Sequence, residues 1–366
     1  MKIVRIVSEL DFGGVEQVLA NSIPQLADQV GAEVSVIVLG KGGRVSQKLI
    51  SRGVSVHILN QNPRIPNFVL LHKLYKLIKN LNPDVIHCQG SEANFHGILA
   101  ASWVNVPNII GEEIGIPNHH SYWKLIFKLV YTKATTIIAI SEAVKANIVA
   151  IGEVEERKVE VLYNPVGLNV TPSNHQEESD NENDQSKPFI FITTCRLVPI
   201  KNLDKLLIAF SELLEKSTQQ KIELWIVGDG PLKEELQALA KELKIVENVN
   251  WLGFQEEVQP FLNQAEVFIL PSLREGSSVS LAEAMTCGLP SIVTQVGGAG
   301  EILGNSNSGI LIDPLDTHSI KSAMLQLLNL PKSERQTMGK RAMKEAKRFS
   351  VDNYIKSLLK IYEIKV

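Results

Sequence analysis

Cysteine is scarce in this chain: three occur in 366 residues, Cys88, Cys195 and Cys287. None has a Cys-x-x-Cys neighbour, which excludes a disulfide framework or a cysteine zinc site and suits a reducing compartment. A run of 18 apolar residues is also lacking, so no transmembrane helix is predicted. The opening MKIVRIVSEL is apolar for only a few residues, carries Arg5 inside the run and has no small-residue cleavage site. It reads as a first β-strand and not as a signal peptide, and the expected location is the cytoplasm. An excess of one charge is missing as well: 37 Lys and Arg stand against 40 Asp and Glu, a net of −3, so nothing global suggests a nucleic-acid binder. Finally, no Gly-x-Gly-x-x-Gly occurs, which removes the dinucleotide fingerprint of a dehydrogenase.

What is present is ordinary globular composition, 44% hydrophobic and 21% charged, in a length that suggests two domains, each able to bury its own core. Short β-branched runs alternate with helical patterns. The predicted strands of the first half are 3–7, 33–39, 54–59, 84–88, 108–111, 136–140 and 159–162, and the predicted helices 15–27, 68–81, 94–103, 123–132 and 142–150. Residues 174–187, NHQEESDNENDQSK, contain no apolar side chain and read as a solvated linker or loop. The alternation then restarts, with strands at 189–194, 223–227, 249–252, 267–270, 291–294 and 309–312, and helices at 203–214, 232–243, 279–287, 317–328, 333–348 and 351–362. Strand, helix, strand at this spacing predicts an α/β fold of two Rossmann-like, doubly wound parallel-sheet domains, 1–165 and 166–345. Charge divides unevenly between them. Residues 1–165 carry a net of +2, residues 346–366 a net of +3 and residues 166–345 a net of −8. A basic lobe facing an anionic membrane and ordinary solvated faces are both compatible with that division.

Three segments have the makings of a site. Gly13 and Gly14 follow the first strand and open a helix, where ligand can approach the backbone and free N–H groups favour anions. Arg196 and Lys201 follow the first strand of the second half. There a planar fork and a compact cation suit a diphosphate at the carboxyl end of a strand. The third, PSLREGSSVSLAEAMTCGLPSIVT, follows the strand at 267–270. It puts Gly276, Ser277 and Ser278 before a helix whose N–H groups would face an anion. Glu283 lies about one turn into that helix, placed for a ribose diol, and Glu275 lies ahead of it. Standing alone, the three are equally compatible with a tight turn, surface charges and a capped helix.

Together they resemble the retaining glycosyltransferases of family 4, with the GT-B fold. The resemblance is carried by the Gly-Gly loop, Arg196 and Lys201, the glycine turn VGDGPL at Gly228, and Glu275 and Glu283 running into EAMTCGLP. ISEAVK at Ile140–Lys145, YNPVGL at Tyr163–Leu168 and WLGF at Trp251–Phe254 add to it. It implies two domains facing a central cleft, with a C-terminal helix in 346–366 packing back on the first domain. It also implies a nucleotide-sugar donor, a UDP-sugar above all. Arg196 and Lys201 would hold its diphosphate, Glu283 its ribose, and Glu275 with Gly276, Ser277 and Ser278 the sugar and phosphates. Gly228, Gly253 and Phe254 would lie near the nucleotide, and Gly13 and Gly14 would close over the diphosphate. No metal and no cofactor is expected, since the family works without one and no Asp-x-Asp motif occurs.

One departure concerns a histidine that many members carry after the fifth strand. Here IIGEEIGIPNHH puts Glu113 at that place, so Glu113 is the expected sugar-positioning group, with His87, His119 and His120 as rivals. The acceptor is expected on the first domain. His119–Lys133, HHSYWKLIFKLVYTK, mixes aromatic residues with Lys124, Lys128 and Lys133, which suits either a membrane-surface helix or one packed on its own sheet. A saccharide hydroxyl, lipid-linked or on a surface polysaccharide, is the expected acceptor. A nucleotide-sugar epimerase of the same fold and a non-catalytic nucleotide-sugar-binding module are the alternatives.

Overall fold

The computed structural model describes every residue except 12, 118–119, 168–186, 217–219 and 364–366. The polar segment predicted at 174–187 therefore lies almost wholly outside the described residues, as do His119 and Leu168. The chain forms two compact units, Met1–Gly167 with Phe349–Val366, and Leu168–Arg348.

The first unit contains β1 (Lys2–Val7), α1 (Gly14–Val30), β2 (Glu33–Val38), α2 (Arg44–Ser51), β3 (Ser55–Ile58), α3 (Phe68–Leu81) and β4 (Val85–Gln89). It continues with α4 (Ser91–Val104), β5 (Asn108–Glu113), α5 (Ser121–Tyr131), β6 (Thr136–Ala139), α6 (Glu142–Ala150) and β7 (Val159–Val161). All pairings are parallel, in the order β3-β2-β1-β4-β5-β6-β7. Strands covered on both faces are apolar nearly throughout, as in IVRIV and VSVIV. One core packs α3, α4, α5 and α6 against one side of this sheet. The other core joins α1 and α2 to the C-terminal helix.

The second unit repeats the plan with β8 (Phe189–Thr194), α7 (Leu203–Leu214), β9 (Ile222–Val227), α8 (Lys233–Glu242), β10 (Val249–Gly253), α9 (Gln259–Leu262) and β11 (Val267–Leu270). It ends with α10 (Val279–Thr286), β12 (Ser291–Thr294), α11 (Ala299–Leu303), β13 (Gly309–Ile312), α12 (Thr317–Asn329) and α13 (Lys332–Ala346). Its sheet is again parallel, in the order β10-β9-β8-β11-β12-β13. The order reverses direction between β1 and β4 in one unit and between β8 and β11 in the other. Open α/β sheets bind ligands at such a reversal, beyond the carboxyl ends of the strands.

The last helix, α14 (Val351–Glu363), belongs to the first unit. Its Tyr354, Ile355, Leu358 and Tyr362 are buried against α1 and the sheet. Phe349 O accepts from Val166 N at 2.8 Å where the chain re-enters this unit.

Candidate nucleotide-sugar site

The site residues of the second unit gather where its strand order reverses. The segment after β8 leaves through Arg196 and forms one tight turn at Pro199–Lys201. Asn202 ends that turn with φ 58, a left-handed conformation that asparagine tolerates. Its side-chain amide donates to Pro271 O at 3.1 Å and Pro314 O at 2.7 Å. Ile200 O accepts from Leu273 N at 2.9 Å. The segments after β8 and β11 are thereby strapped together. Lys201, 74 residues away in sequence, sets its Nζ 2.7 Å from Glu275 Oε2, with the two side chains 19% and 10% exposed. Arg196 is exposed and, among the described residues, makes no ion pair.

Two glycines make this crowding feasible. Gly228, after β9, has φ 142, and a Cβ there would meet Cys195 O at 1.9 Å. Its N–H donates to Gly253 O at 2.7 Å. Gly297 has φ 73, and a Cβ there would fall 1.8 Å from Glu275 O. Gly298 N donates to that same carbonyl at 3.0 Å. The backbone of Glu275 is thus fixed by the segment after β12, a contact the sequence reading misses. Its signal was QVGGAGE, a second glycine pair after a strand.

Ser278 caps α10, its Oγ accepting from Leu281 N at 3.2 Å. Gly276 and Ser277 stand just ahead, so the N-terminus of α10, Lys201 and Arg196 all lie around the same strand ends. This end of the unit offers what an anion needs: N–H groups, a helix dipole and two cations. One turn along α10, Glu283 is partly exposed, and burial pushes its carboxyl up to about 7. Phe254 is 45% exposed beyond the end of β10, next to Gly253 with φ 66.

In the first unit Gly13 and Gly14 open α1, with Gly13 O accepting from Gln17 N at 3.1 Å. Glu16 follows in the first turn. Burial raises its carboxyl, and the nearby charges of Glu9 and Asp11 add to the rise. This helix start is therefore already supplied with carboxylates, unlike that of α10. A cavity of about 310 Å³ opens at the carboxyl ends of β1, β2 and β3, lined by Glu9, Lys41, Asn60, Gln61 and Asn62 among others. The run NQNPR was its sequence signal, and the reading from sequence passes over it.

Two of the expected groups lie in buried side-chain networks. Glu113 is only 2% exposed. Its Oε1 accepts from Tyr131 Oη and, at 3.1 Å, from Asn94 Nδ2. It ties β5 to α4 and α5 inside the unit. His87 is fully buried on the opposite face of the sheet, Nε2 2.8 Å from Glu112 Oε2 and Nδ1 2.9 Å from Tyr362 Oη. Arg5, beside His87 in the β1–β4 register, lies 3.8 Å from the same carboxylate. Burial and then the Arg5 charge hold the His87 imidazole down to about 4, so it is neutral. Burial pushes the Glu112 carboxyl up, yet the hydrogen bond and charge of His87 and the charge of Arg5 outweigh it and hold it below the ordinary value. This network anchors α14 and takes His87 out of the candidate site. His120 is exposed just ahead of α5.

The profile of the glycosyltransferases described as Family 4 matches residues 12–170, and that of the glycosyl transferases group 1 matches residues 174–345. The chain belongs to the family 4 glycosyltransferases. It is a glycosyltransferase of GT-B fold built from two Rossmann-like units. It is 26% identical to the N-acetylgalactosamine-N,N'-diacetylbacillosaminyl-diphospho-undecaprenol 4-alpha-N-acetylgalactosaminyltransferase of Campylobacter jejuni, covering 97% of each chain. It is 28% identical to the UDP-Gal:alpha-D-GlcNAc-diphosphoundecaprenol alpha-1,3-galactosyltransferase of Escherichia coli over 70% of this chain and 69% of that one. Among solved structures, Anabaena Alr3699/HepE in complex with UDP superposes with a TM-score of 0.79 at 19% identity, over 98% of this chain and 99% of that one.

Proposed function

We propose that this glycosyltransferase moves a sugar from a UDP-sugar, with retention of anomeric configuration and without a metal, to a hydroxyl of a lipid-linked saccharide. The observation that carries the donor half is the convergence of Arg196, Lys201 and the start of α10 at the strand reversal of the second unit. In the reaction the bond between the anomeric carbon and the β-phosphate oxygen breaks, and the acceptor oxygen bonds to that carbon on the same face. The acceptor proton passes to a phosphate oxygen of the departing diphosphate. Charge grows on that diphosphate as the bond breaks, and prearranged cations and N–H groups stabilise it most where it grows. Arg196 supplies a planar fork. Lys201 is held in place by Glu275, and the backbone of Gly276, Ser277 and Ser278 receives the remaining phosphate oxygens. Glu283 takes the ribose hydroxyls.

The acceptor half rests on two supports. The cavity beside Glu9 and Lys41 is lined by three consecutive amide residues, Asn60, Gln61 and Asn62. The Gln61 amide nitrogen donates to Leu59 O and Asn60 O, and Asn62 Oδ1 accepts from Arg64 N, which leaves the Gln61 Oε1 acceptor and the Asn62 Nδ2 donor for sugar hydroxyls. The two relatives named above carry diphospho-undecaprenol acceptors in their names. The test is product analysis: purified protein, a panel of nucleotide sugars and synthetic polyprenyl-diphosphate saccharides, in EDTA. A new glycosidic bond of the donor's own anomeric configuration is expected from a UDP-sugar. Inverted product, transfer dependent on added metal, or isomerised donor with no acceptor consumed each contradicts the reading.

A further inference from the structure

From residue 34 to residue 83 the chain has no Asp or Glu and eight Lys or Arg, and from 114 to 141 it has no Asp or Glu and three Lys. These acid-free stretches contain α3 and α5. Both pack with α4 on one side of the first unit's sheet. The outward sides of the three helices therefore form one layer. On α3 the exposed residues include Lys73, Lys76 and Lys79. The fully exposed side of α5 is apolar and cationic together: Tyr122 is 69%, Leu125 60% and Leu129 61% exposed, with Lys128 between them and Lys124 half-buried alongside. Between these helices, α4 shows Leu99 and, 56% exposed, Trp103 at its outer end. Its single acidic residue, Glu92, lies at the other end, where it accepts from Ser8 Oγ at 3.4 Å.

A folded chain gains nothing by leaving two leucines, a tyrosine and a tryptophan in water on one face, and such a face marks an interaction site. Its charge selects the partner. Lysines around projecting apolar side chains oppose docking of a second copy of the same face. They match a bilayer rich in anionic phospholipid, where the cations meet headgroups and the apolar tips enter the acyl boundary. We propose that the α3–α4–α5 face of the first unit docks on anionic membrane, with Tyr122, Leu125 and Leu129 inserted and Lys73, Lys76, Lys79, Lys124 and Lys128 at headgroup level. Docking would hold the enzyme where a lipid-linked acceptor is confined. In that sense the inference deepens the proposed function, but its test needs neither donor nor acceptor.

The experiment is co-sedimentation of the full-length protein with vesicles of phosphatidylcholine alone or with added phosphatidylglycerol. Binding is expected only with the anionic lipid, falling as salt rises. Each exposed lysine near such a surface is worth about fivefold in affinity. Lys76→Ala with Lys128→Ala is therefore expected to weaken binding roughly 25-fold, and Leu125→Ser with Leu129→Ser to shift the protein to the supernatant. These positions are at the surface, so melting temperature should hold. Transfer to a short, soluble acceptor should be unchanged in both variants, which separates failure of docking from failure of the proposed reaction. Equal binding to both vesicle types, no binding to either, undiminished binding in both variants, or a dimer in solution that both variants abolish would overturn the proposal.

Discussion

Replacing Glu283 by glutamine keeps the shape of the α10 site and removes one proton equilibrium. Burial raises the folded carboxyl to about 7 from an ordinary 4.5. The folded state therefore favours the protonated acid. Its contribution to stability is full below 4.5 and is lost as pH rises through 7. At about 1.4 kcal/mol per pH unit, that is on the order of 3 kcal/mol at most. For a unit of this size, 3 kcal/mol corresponds to roughly 6–12 °C in melting temperature. Glu266, also raised to about 7 by burial, titrates in both proteins, so the difference between them isolates position 283. Glu283→Gln is expected to melt together with wild type near pH 5 and progressively above it toward pH 8. Binding should move the other way. An ionised carboxylate accepts from both ribose hydroxyls, so wild-type affinity for UDP should rise through pH 7. The variant should bind roughly 10- to 100-fold more weakly at pH 8 and show no such rise. The assays are melting curves and calorimetric titration of UDP across that range. A melting difference that does not change with pH, or a variant that binds UDP as wild type does, would refute the reasoning.

Three further outcomes follow from particular contacts. Lys201→Met leaves the Glu275 carboxylate without its 2.7 Å partner and should cost about 1–3 kcal/mol of stability, with Glu275→Gln in the same protein restoring most of it. Neither variant should transfer sugar. An additive cycle in denaturant melts would show that the pair is not coupled. Gly228→Ala puts a methyl 1.9 Å from Cys195 O at φ 142. It should lower stability by more than about 2 kcal/mol and abolish UDP binding, whereas unchanged melting would reject the tight turn. Finally, the neutral His87 contributes stability present above 6.5 and lost as pH falls toward 4. His87→Gln should flatten the acid side of the stability profile between those values, and a profile as steep as wild type would contradict the buried network.

The periodic elements were legible in the sequence. FVLLHKLYKLIKNL predicts α3 at 68–81, where it is found between Asn67, which caps it, and the left-handed Asn82. Three short helices, α2, α9 and α11, were not. Residues 44–51 follow GKGG and residues 299–303 follow VGG, and glycine there hides helices of eight and five residues. Isolated charges within apolar strands were the other blind spot. Arg5, His87 and Glu112 each interrupt a strand, and the register puts all three on one face. A charged group in a buried strand must find a partner, and that rule would have paired them. Glu113, the next residue, points to the opposite face because side chains alternate along a strand. It therefore meets Tyr131 and Asn94. The Lys201–Glu275 pair spans 74 residues. Only the adjacency of β8 and β11, which follows from the strand order, brings it together.

Calorimetric titration of UDP, GDP and ADP into wild type and into Arg196→Ala with Lys201→Ala tests the diphosphate grip of the second unit most directly. Saturable binding of UDP to wild type is predicted, weakened at least about 100-fold in the double variant. Failure of every nucleoside diphosphate to bind, or equal binding in the variant, would contradict it.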